Sequence, residues 1–370
     1  MNAFARVTGE GPLRVVLVGA GNMGRAWMRV LGESPDVALV GLVDLDVDLA
    51  DRAATEHGLD VVVGAALAEV AAASGAQAVI DVTVPPAHHA VNTEALFLGL
   101  PVLCEKPIAP TVAETLSLIA AEEVSGQLLM TSQSRRYYPQ LARLKAVVAS
   151  LGEVGFVTTE FFKGPHFGGF RDEMEHPLLV DMAIHAFDVA RYLLDADPVS
   201  VDCRTFNPAW SWYRGDAAAA ATFVFDGGTR FAYTGSWCST GLETSWNGSW
   251  RISGARGSAT WDGEGEPRVE YADGTASPDP DAGAGRPEIA GALDEFVEAL
   301  RTGVTPSGDV HSNVYSLAMV EAAVRSAAEV RTVRLSDVLE DAYAQALADE
   351  SRADVREALQ SWGSAAAGLG

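Results

Sequence analysis

L-R-V-V-L-V-G-A-G-N-M-G occupies residues 13–24. Its first half is β-branched and almost wholly apolar, which reads as a strand buried on both faces. Its second half sets Gly19, Gly21 and Gly24 within six residues, directly before a helical run. Glycines so spaced permit a tight turn, close approach of backbone to a pyrophosphate, and close helix–strand packing. Phosphate oxygens would meet the N–H groups that open the helix. The same pattern also serves as a plain glycine turn in an α/β domain. Its context favours a dinucleotide, with Gly19, Gly21, Asn22, Met23 and Gly24 as candidate cofactor-binding residues. Asp44 ends the second strand, twenty residues after Gly24. A carboxylate there accepts from both ribose hydroxyls of NAD and repels a 2′-phosphate. L-D-V-D-L-A-D follows, with nothing basic in it. NAD is preferred over NADP.

Working outward, short β-branched runs recur at 37–43, 61–63, 77–83, 101–105 and 127–132, separated by Ala- and Leu-rich helical stretches such as Thr111 to Val124. Such alternation predicts a parallel sheet covered on both faces. After residue 150 the texture changes. Strand-like runs at 154–162, 219–225, 229–237, 249–254 and 257–262 follow one another across Gly, Asp and Asn turns. They predict a largely antiparallel sheet, interrupted by one helix over 176–194. Asp273 to Arg286 reads as a loop or linker. Helical runs follow near 288–301 and 312–328, and the tail from Ser336 has helical periodicity.

The 370 residues suggest two domains. With 26 basic and 50 acidic residues, the net charge of -24 opposes nucleic acid and anionic membrane surfaces. Cys104, Cys203 and Cys238 are odd in number and form no C-x-x-C unit, so they read as core residues in a reducing cytoplasm. The N-terminal residues lack an apolar export core, and no run of about 18 apolar residues predicts a membrane span.

Two charged clusters carry chemistry. V-L-C-E-K-P-I, residues 102–108, puts Glu105 and Lys106 at the end of a buried strand. In a doubly wound sheet ligands gather at the carboxyl ends of strands. An ammonium there can stabilise an alkoxide as hydride leaves, although lysines at exposed strand ends are common. In the helix at 176–194, Asp181 and His185 are spaced i, i+4 on one face, as suits a general acid/base pair. Asp188 follows as a candidate buttress for His185. A satisfied, partly buried histidine is the plainer reading of that helix taken alone.

Taken together, G-A-G-N-M-G, V-P-P-A-H-H-A (84–90), A-L-F-L-G-L-P-V-L-C-E-K-P (95–107), R-R-Y-Y-P (135–139) and D-M-A-I-H (181–185) resemble the Gfo/Idh/MocA oxidoreductase family, to about residue 335. The resemblance implies an α/β chain in three parts. Residues 1–133 would form an NAD-binding Rossmann domain. Residues 134–335 would form an α+β domain with an open, mostly antiparallel sheet that binds substrate and joins subunits. Residues 336–370 would be a helical extension.

The resemblance also implies Lys106, Asp181 and His185 as catalytic residues and a cis Lys106–Pro107 bond. Thr83, Pro85, His88, Glu105 and Lys106 would join the cofactor site, with His88 and His89 both competing for one histidine position. The lead-in M-E-H-P-L-L-V departs from the glycines frequent in the family before this aspartate.

Arg136, Tyr137, Lys163, His166 and His176 are the remaining candidate substrate-binding residues, beside Asp181 and His185. Packing or a plain loop are the competing readings for them. Trp210, Trp212, Tyr213, Trp237, Trp246 and Trp250 suit a sheet face or a subunit interface better than a sugar platform. No metal is expected. The expected activity is NAD-dependent oxidation of a secondary hydroxyl of a sugar or cyclic polyol, in a cytoplasmic homodimer or homotetramer. The alternatives are an NAD-dependent glycosidase that oxidises transiently and eliminates, and a non-catalytic NAD-binding sensor.

Overall fold

A computed structural model describes residues 4–275 and 285–370. Most of the loop expected at Asp273 to Arg286 lies outside the described residues. The chain divides into two compact units. The first runs to Ser134 and adds Glu288–Val314 and Glu340–Gly370; the second comprises Arg135–Pro287 and Tyr315–Leu339.

The first unit carries β1 (Leu13–Val18), β2 (Val37–Val43), β3 (Val62–Gly64), β4 (Ala78–Asp81), β5 (Val102–Glu105) and β6 (Leu129–Ser132). They form one sheet in the order β3-β2-β1-β4-β5-β6, with every pairing parallel. All residues of β4, β5 and β6 are buried, which is why their sequences are apolar up to the carboxyl-end residues Asp81, Glu105, Thr131 and Ser132. The connecting helices are α1 (Asn22–Glu33), α2 (Val47–Glu56), α3 (Leu67–Ser74), α4 (Pro85–Phe97) and α5 (Val112–Ser125). Local signals set their ends. Thr111 Oγ1 accepts from the Glu114 N–H at 3.1 Å, and left-handed Gly126 closes the same helix. Strand order reverses between β1 and β4, so the cofactor crevice of such a sheet lies at their carboxyl ends.

The second unit begins with α6 (Pro139–Ser150). Its sheet contains β7 (Val154–Phe162), β8 (Pro198–Phe206), β9 (Ala218–Phe225), β10 (Arg230–Ser236), β11 (Ser249–Gly254), β12 (Gly257–Trp261), β13 (Arg268–Tyr271) and β14 (Val333–Arg334). The order is β13-β12-β11-β7-β10-β9-β8-β14, and only β7 and β10 pair in parallel. The single helix expected over 176–194 is in two parts: a π-helical stretch at Leu178–Ala183 and then α7 (Ile184–Leu194). Asp181 and His185 therefore lie on either side of the junction between the π-helical stretch and α7. Phe187 of α7 packs edge-on against Phe223, Tyr233 and Phe231, with ring centroids at 4.8, 5.4 and 6.2 Å.

The returning segments are α8 (Glu288–Thr302), α9 (Val310–Glu329), α10 (Leu335–Asp349), α11 (Ala353–Trp362) and α12 (Ala365–Leu369). The tail docks on its own first unit. Trp362 Nε1 donates to Glu123 at 2.9 Å, and Arg352 stacks 3.4 Å over the Phe97 ring. Among the described residues no helix is long and apolar enough to cross a membrane. All three cysteines are buried thiols.

Candidate active site

In the first unit, the candidate cofactor residues stand at the carboxyl ends of β1, β2, β4 and β5. Gly19 has φ +107°, and a Cβ on it would meet the Val82 carbonyl oxygen at 2.9 Å. A Cβ on Gly24 would meet the Gly19 carbonyl oxygen at 2.1 Å, so close packing of helix on strand requires glycine there. Gly21 differs: a Cβ there meets nothing within 4 Å. It is exposed, as are Asn22 and Met23, and no side chain caps the start of α1. An open, uncapped helix start of this kind fits a pyrophosphate. Asp44 closes the arrangement. Its Oδ2 accepts from the Ala20 N–H at 2.8 Å and its Oδ1 from the Asp46 N–H at 2.9 Å. These bonds hold the carboxylate beside the glycine turn, where a ribose would come.

The β4 and β5 ends carry the other candidate residues of this unit. The Thr83 N–H and hydroxyl both donate to Asp81 Oδ1, at 3.0 and 2.7 Å. Pro85 occupies the first position of α4. Glu105 accepts from Trp27 Nε1 at 2.9 Å and from the Lys106 N–H at 3.2 Å. Burial pushes the Glu105 carboxyl up, and the Trp27 bond and the Lys106 charge pull it partly back. Lys106 is half-buried, and its bond to Pro107 is cis. His88 is buried and sits on two carbonyl oxygens, while His89 contacts the Ser117 hydroxyl at 2.9 Å.

In the second unit, Asp181 lies on the π-helical stretch and His185 on the first turn of α7. Asp181 Oδ2 accepts from Arg171 Nε at 2.9 Å. The Arg171 guanidinium lies 5.5 and 4.8 Å from the Phe167 and Phe170 ring centroids. His185 borders a small recess with Met182, Phe161, Trp246, Asn247 and Trp250. Thr159 also lines it, with a buried hydroxyl that has no protein partner.

The remaining substrate-side residues divide. Arg136 is buried in an ion pair with Asp188, the residue read from sequence as a buttress for His185. Tyr137 ends the same short 3₁₀ turn and is half-buried. Lys163 pairs with Glu243 at 2.9 Å and lies 5.0 Å from the Trp246 ring centroid, and that pairing holds the Glu243 carboxyl below its ordinary value. Exposed His166 stacks on Trp212 at 3.6 Å. His176, just before the π-helical stretch, has a buried Nδ1 with no hydrogen-bond partner.

Sequence reasoning passed over Trp27 and Asp81, and placed Arg171 in a glycine-rich loop ahead of the helix without its partner. Asp81 carried a usable signal: an acid ending a buried strand, as in E-K-P. The pairing of Arg171 with Asp181 carried none, because the two lie ten residues apart, across a 3₁₀ turn and a π-helical stretch.

Residues 13–133 match the model of an oxidoreductase family with an NAD-binding Rossmann fold, and residues 141–260 match the GFO/IDH/MocA C-terminal domain. The uncharacterized protein y4oX of Sinorhizobium fredii is 30% identical over 67% of this chain and 72% of its own length. Inositol 2-dehydrogenase 1 of Saccharopolyspora erythraea is 32% identical over 51% of this chain and 56% of its own length. The match therefore spans little more than half of that enzyme. An Agrobacterium radiobacter oxidoreductase, solved with NAD+, L-tartaric acid and magnesium, superposes with a TM-score of 0.80 at 23% identity. That superposition covers 88% of this chain and 99% of the other.

Proposed function

The chain belongs to the Gfo/Idh/MocA oxidoreductase family, and from that premise we propose an NAD-dependent dehydrogenase for a secondary hydroxyl of a sugar or inositol-like polyol. The observation that carries this reading is the position of Lys106. It ends β5 on the sheet edge that bears the Gly19–Gly24 turn and Asp44, and its backbone is held by Glu105.

NAD, when bound, supplies the acceptor for the hydride that leaves the carbinol carbon. Gly21, Asn22, Met23 and the start of α1 hold its pyrophosphate, and Asp44 its adenosine ribose. Thr83, Pro85 and Glu105 shape the same crevice. Lys106 donates a hydrogen bond to the substrate oxygen and stabilises the negative charge that develops on it. His185, with Asp181 as its carboxylate partner, takes the hydroxyl proton. Run in reverse, the same groups reduce a ketone. Tyr137, Lys163, His166 and His176 are assigned to the substrate side. Arg136 supports that side through Asp188. The subunit contact of a homodimer or homotetramer is assigned to the eight-stranded sheet, where Phe156 and Phe206 are exposed.

The test is NADH formation from a panel of inositols, aldoses, and phosphorylated and deoxy sugars, with NAD and with NADP. Turnover of one class with NAD is expected. No NADH from any of them, with NAD still bound, contradicts the dehydrogenase and favours the eliminating glycosidase or the sensor.

A further inference from the structure

His88 on α4 is 1% exposed. Its Nδ1 lies 2.7 Å from the Pro107 carbonyl oxygen and its Nε2 3.1 Å from the Thr83 carbonyl oxygen. Carbonyl oxygens only accept, so both contacts are hydrogen bonds only when each ring nitrogen carries a proton. Thr83 lies in the loop that leaves β4, and Pro107 directly follows Lys106. One ring thus ties together the loops at the ends of two adjacent strands. From the other side, Glu105 accepts the Lys106 N–H and is itself held by Trp27.

Asp81 and Cys104 lie beside the ring. Asp81 of β4 is 0% exposed, and burial raises its carboxyl while the nearby His88 ring and the Thr83 bonds pull it back. Cys104 of β5 puts its thiol 3.8 Å from Asp81 Oδ2, and burial holds that thiol in its protonated form. Glu105 and Lys106 follow on the same strand end. Ligand atoms of Asp81, His88 and Cys104 lie within 4.8 Å of one another, the spacing of a metal site. A metal needs a lone pair on a ring nitrogen. Here both nitrogens face carbonyl oxygens, so the cluster suits a clamp and not a cation.

We propose that His88 is a positioning residue that locks the Thr83 and Pro107 loops together and thereby places the Lys106 ammonium. It touches no reactant and acts through the backbone. The proposal rests on Lys106 being the oxygen-polarising group.

The test combines two measurements on the full chain. In ¹⁵N-histidine NMR of the wild type across a pH series, the doubly protonated form of the His88 ring is expected to show both N–H protons hydrogen-bonded and protected from exchange with solvent. A ring N–H in that form that exchanges freely with solvent overturns the clamp, because only one carbonyl is then held. The second measurement is a kinetic cycle with NAD and myo-inositol for His88→Gln, Lys106→Ala and the double variant. Glutamine has one donor nitrogen and cannot bridge both carbonyls. His88→Gln is expected to lower kcat by about tenfold to a hundredfold, with NAD affinity little changed. In the Lys106→Ala background it is expected to cost nothing further. A full additive loss in the Lys106→Ala background, or an unchanged kcat in His88→Gln, overturns the proposal. Wild-type kcat in Lys106→Ala sinks the catalytic reading instead, and the ring signal still decides the clamp. If myo-inositol is not turned over, the ring signal alone decides it.

Discussion

Arg136 and Asp188 form a buried bidentate pair, with Nε 2.8 Å from Oδ2 and Nη2 2.6 Å from Oδ1. Their side chains are 6% and 1% exposed. Ser316 donates to Oδ1 at 2.8 Å, and Arg191 donates to Ser316 at 3.1 Å. Removing one partner strands a buried charge. Arg136→Ala is therefore predicted to destabilise the protein by about 3–5 kcal/mol in urea unfolding. A group that only held substrate would raise KM and leave the unfolding midpoint in place.

The glycines of the first turn separate packing from binding. A Cβ on Gly21 meets open space, whereas one on Gly24 strikes the backbone oxygen of Gly19. Gly21→Ala is predicted to change stability by less than about 0.5 kcal/mol while NAD affinity drops about tenfold or more. Gly24→Ala is predicted to cost about 1–3 kcal/mol of stability. Thermal unfolding and NAD titration of the two variants check both statements. Equal NAD binding by Gly21→Ala and wild type would remove the turn from the cofactor site.

Asp44 has both oxygens on backbone N–H groups beside that turn. Asp44→Ser removes the charge that repels a 2′-phosphate. The ratio of kcat/KM with NAD to that with NADP is predicted to fall about tenfold, ~1.4 kcal/mol in relative transition-state binding. An unchanged ratio would place the ribose elsewhere.

His311 supplies a pH dependence. Burial pushes its imidazole down, but the bond to Glu122 at 2.8 Å and the charges of Glu122 and Asp309 outweigh burial and raise it above 6.5. Folding therefore favours protonated His311. That contribution is complete below pH 6.5 and is lost as pH rises through the higher folded value. Burial also raises Glu122 and Asp309, and these carboxyls act in the same direction. Urea midpoints are predicted to fall as pH rises above neutrality, with a shallower fall in His311→Gln. Parallel slopes in the two proteins would contradict this.

The parallel sheet was legible because strands buried on both faces are apolar along their length, as A-V-I-D and V-L-C-E are at 78–81 and 102–105 up to the acid that ends each. In the second unit's sheet, β8 was missed. In P-V-S-V-D-C-R-T-F, Asp202 and Arg204 point outward between buried Val201 and Cys203, so half-exposure masks the apolar pattern. The candidate residues were legible as residue types at strand and helix ends, but their partners were not. Nothing in the spacing shows that Arg171 holds Asp181 or that Arg136 is spent on Asp188, since chain folding alone brings those side chains together. The π-helical stretch at Leu178–Ala183 carries no Pro or Gly within it to announce it. Segments 288–314 and 340–370 join the first unit by tertiary packing, which helical periodicity does not encode.

The most direct measurement is single-turnover NADH formation by wild type and Lys106→Ala, with NAD affinity measured on both. The account predicts a loss of about a hundredfold or more in the chemical step, the scale for removing one donor to a developing oxyanion. NAD affinity should change by less than about threefold, because Lys106 stabilises the transition state and not the bound cofactor. Turnover near the wild-type rate in Lys106→Ala would contradict the assignment.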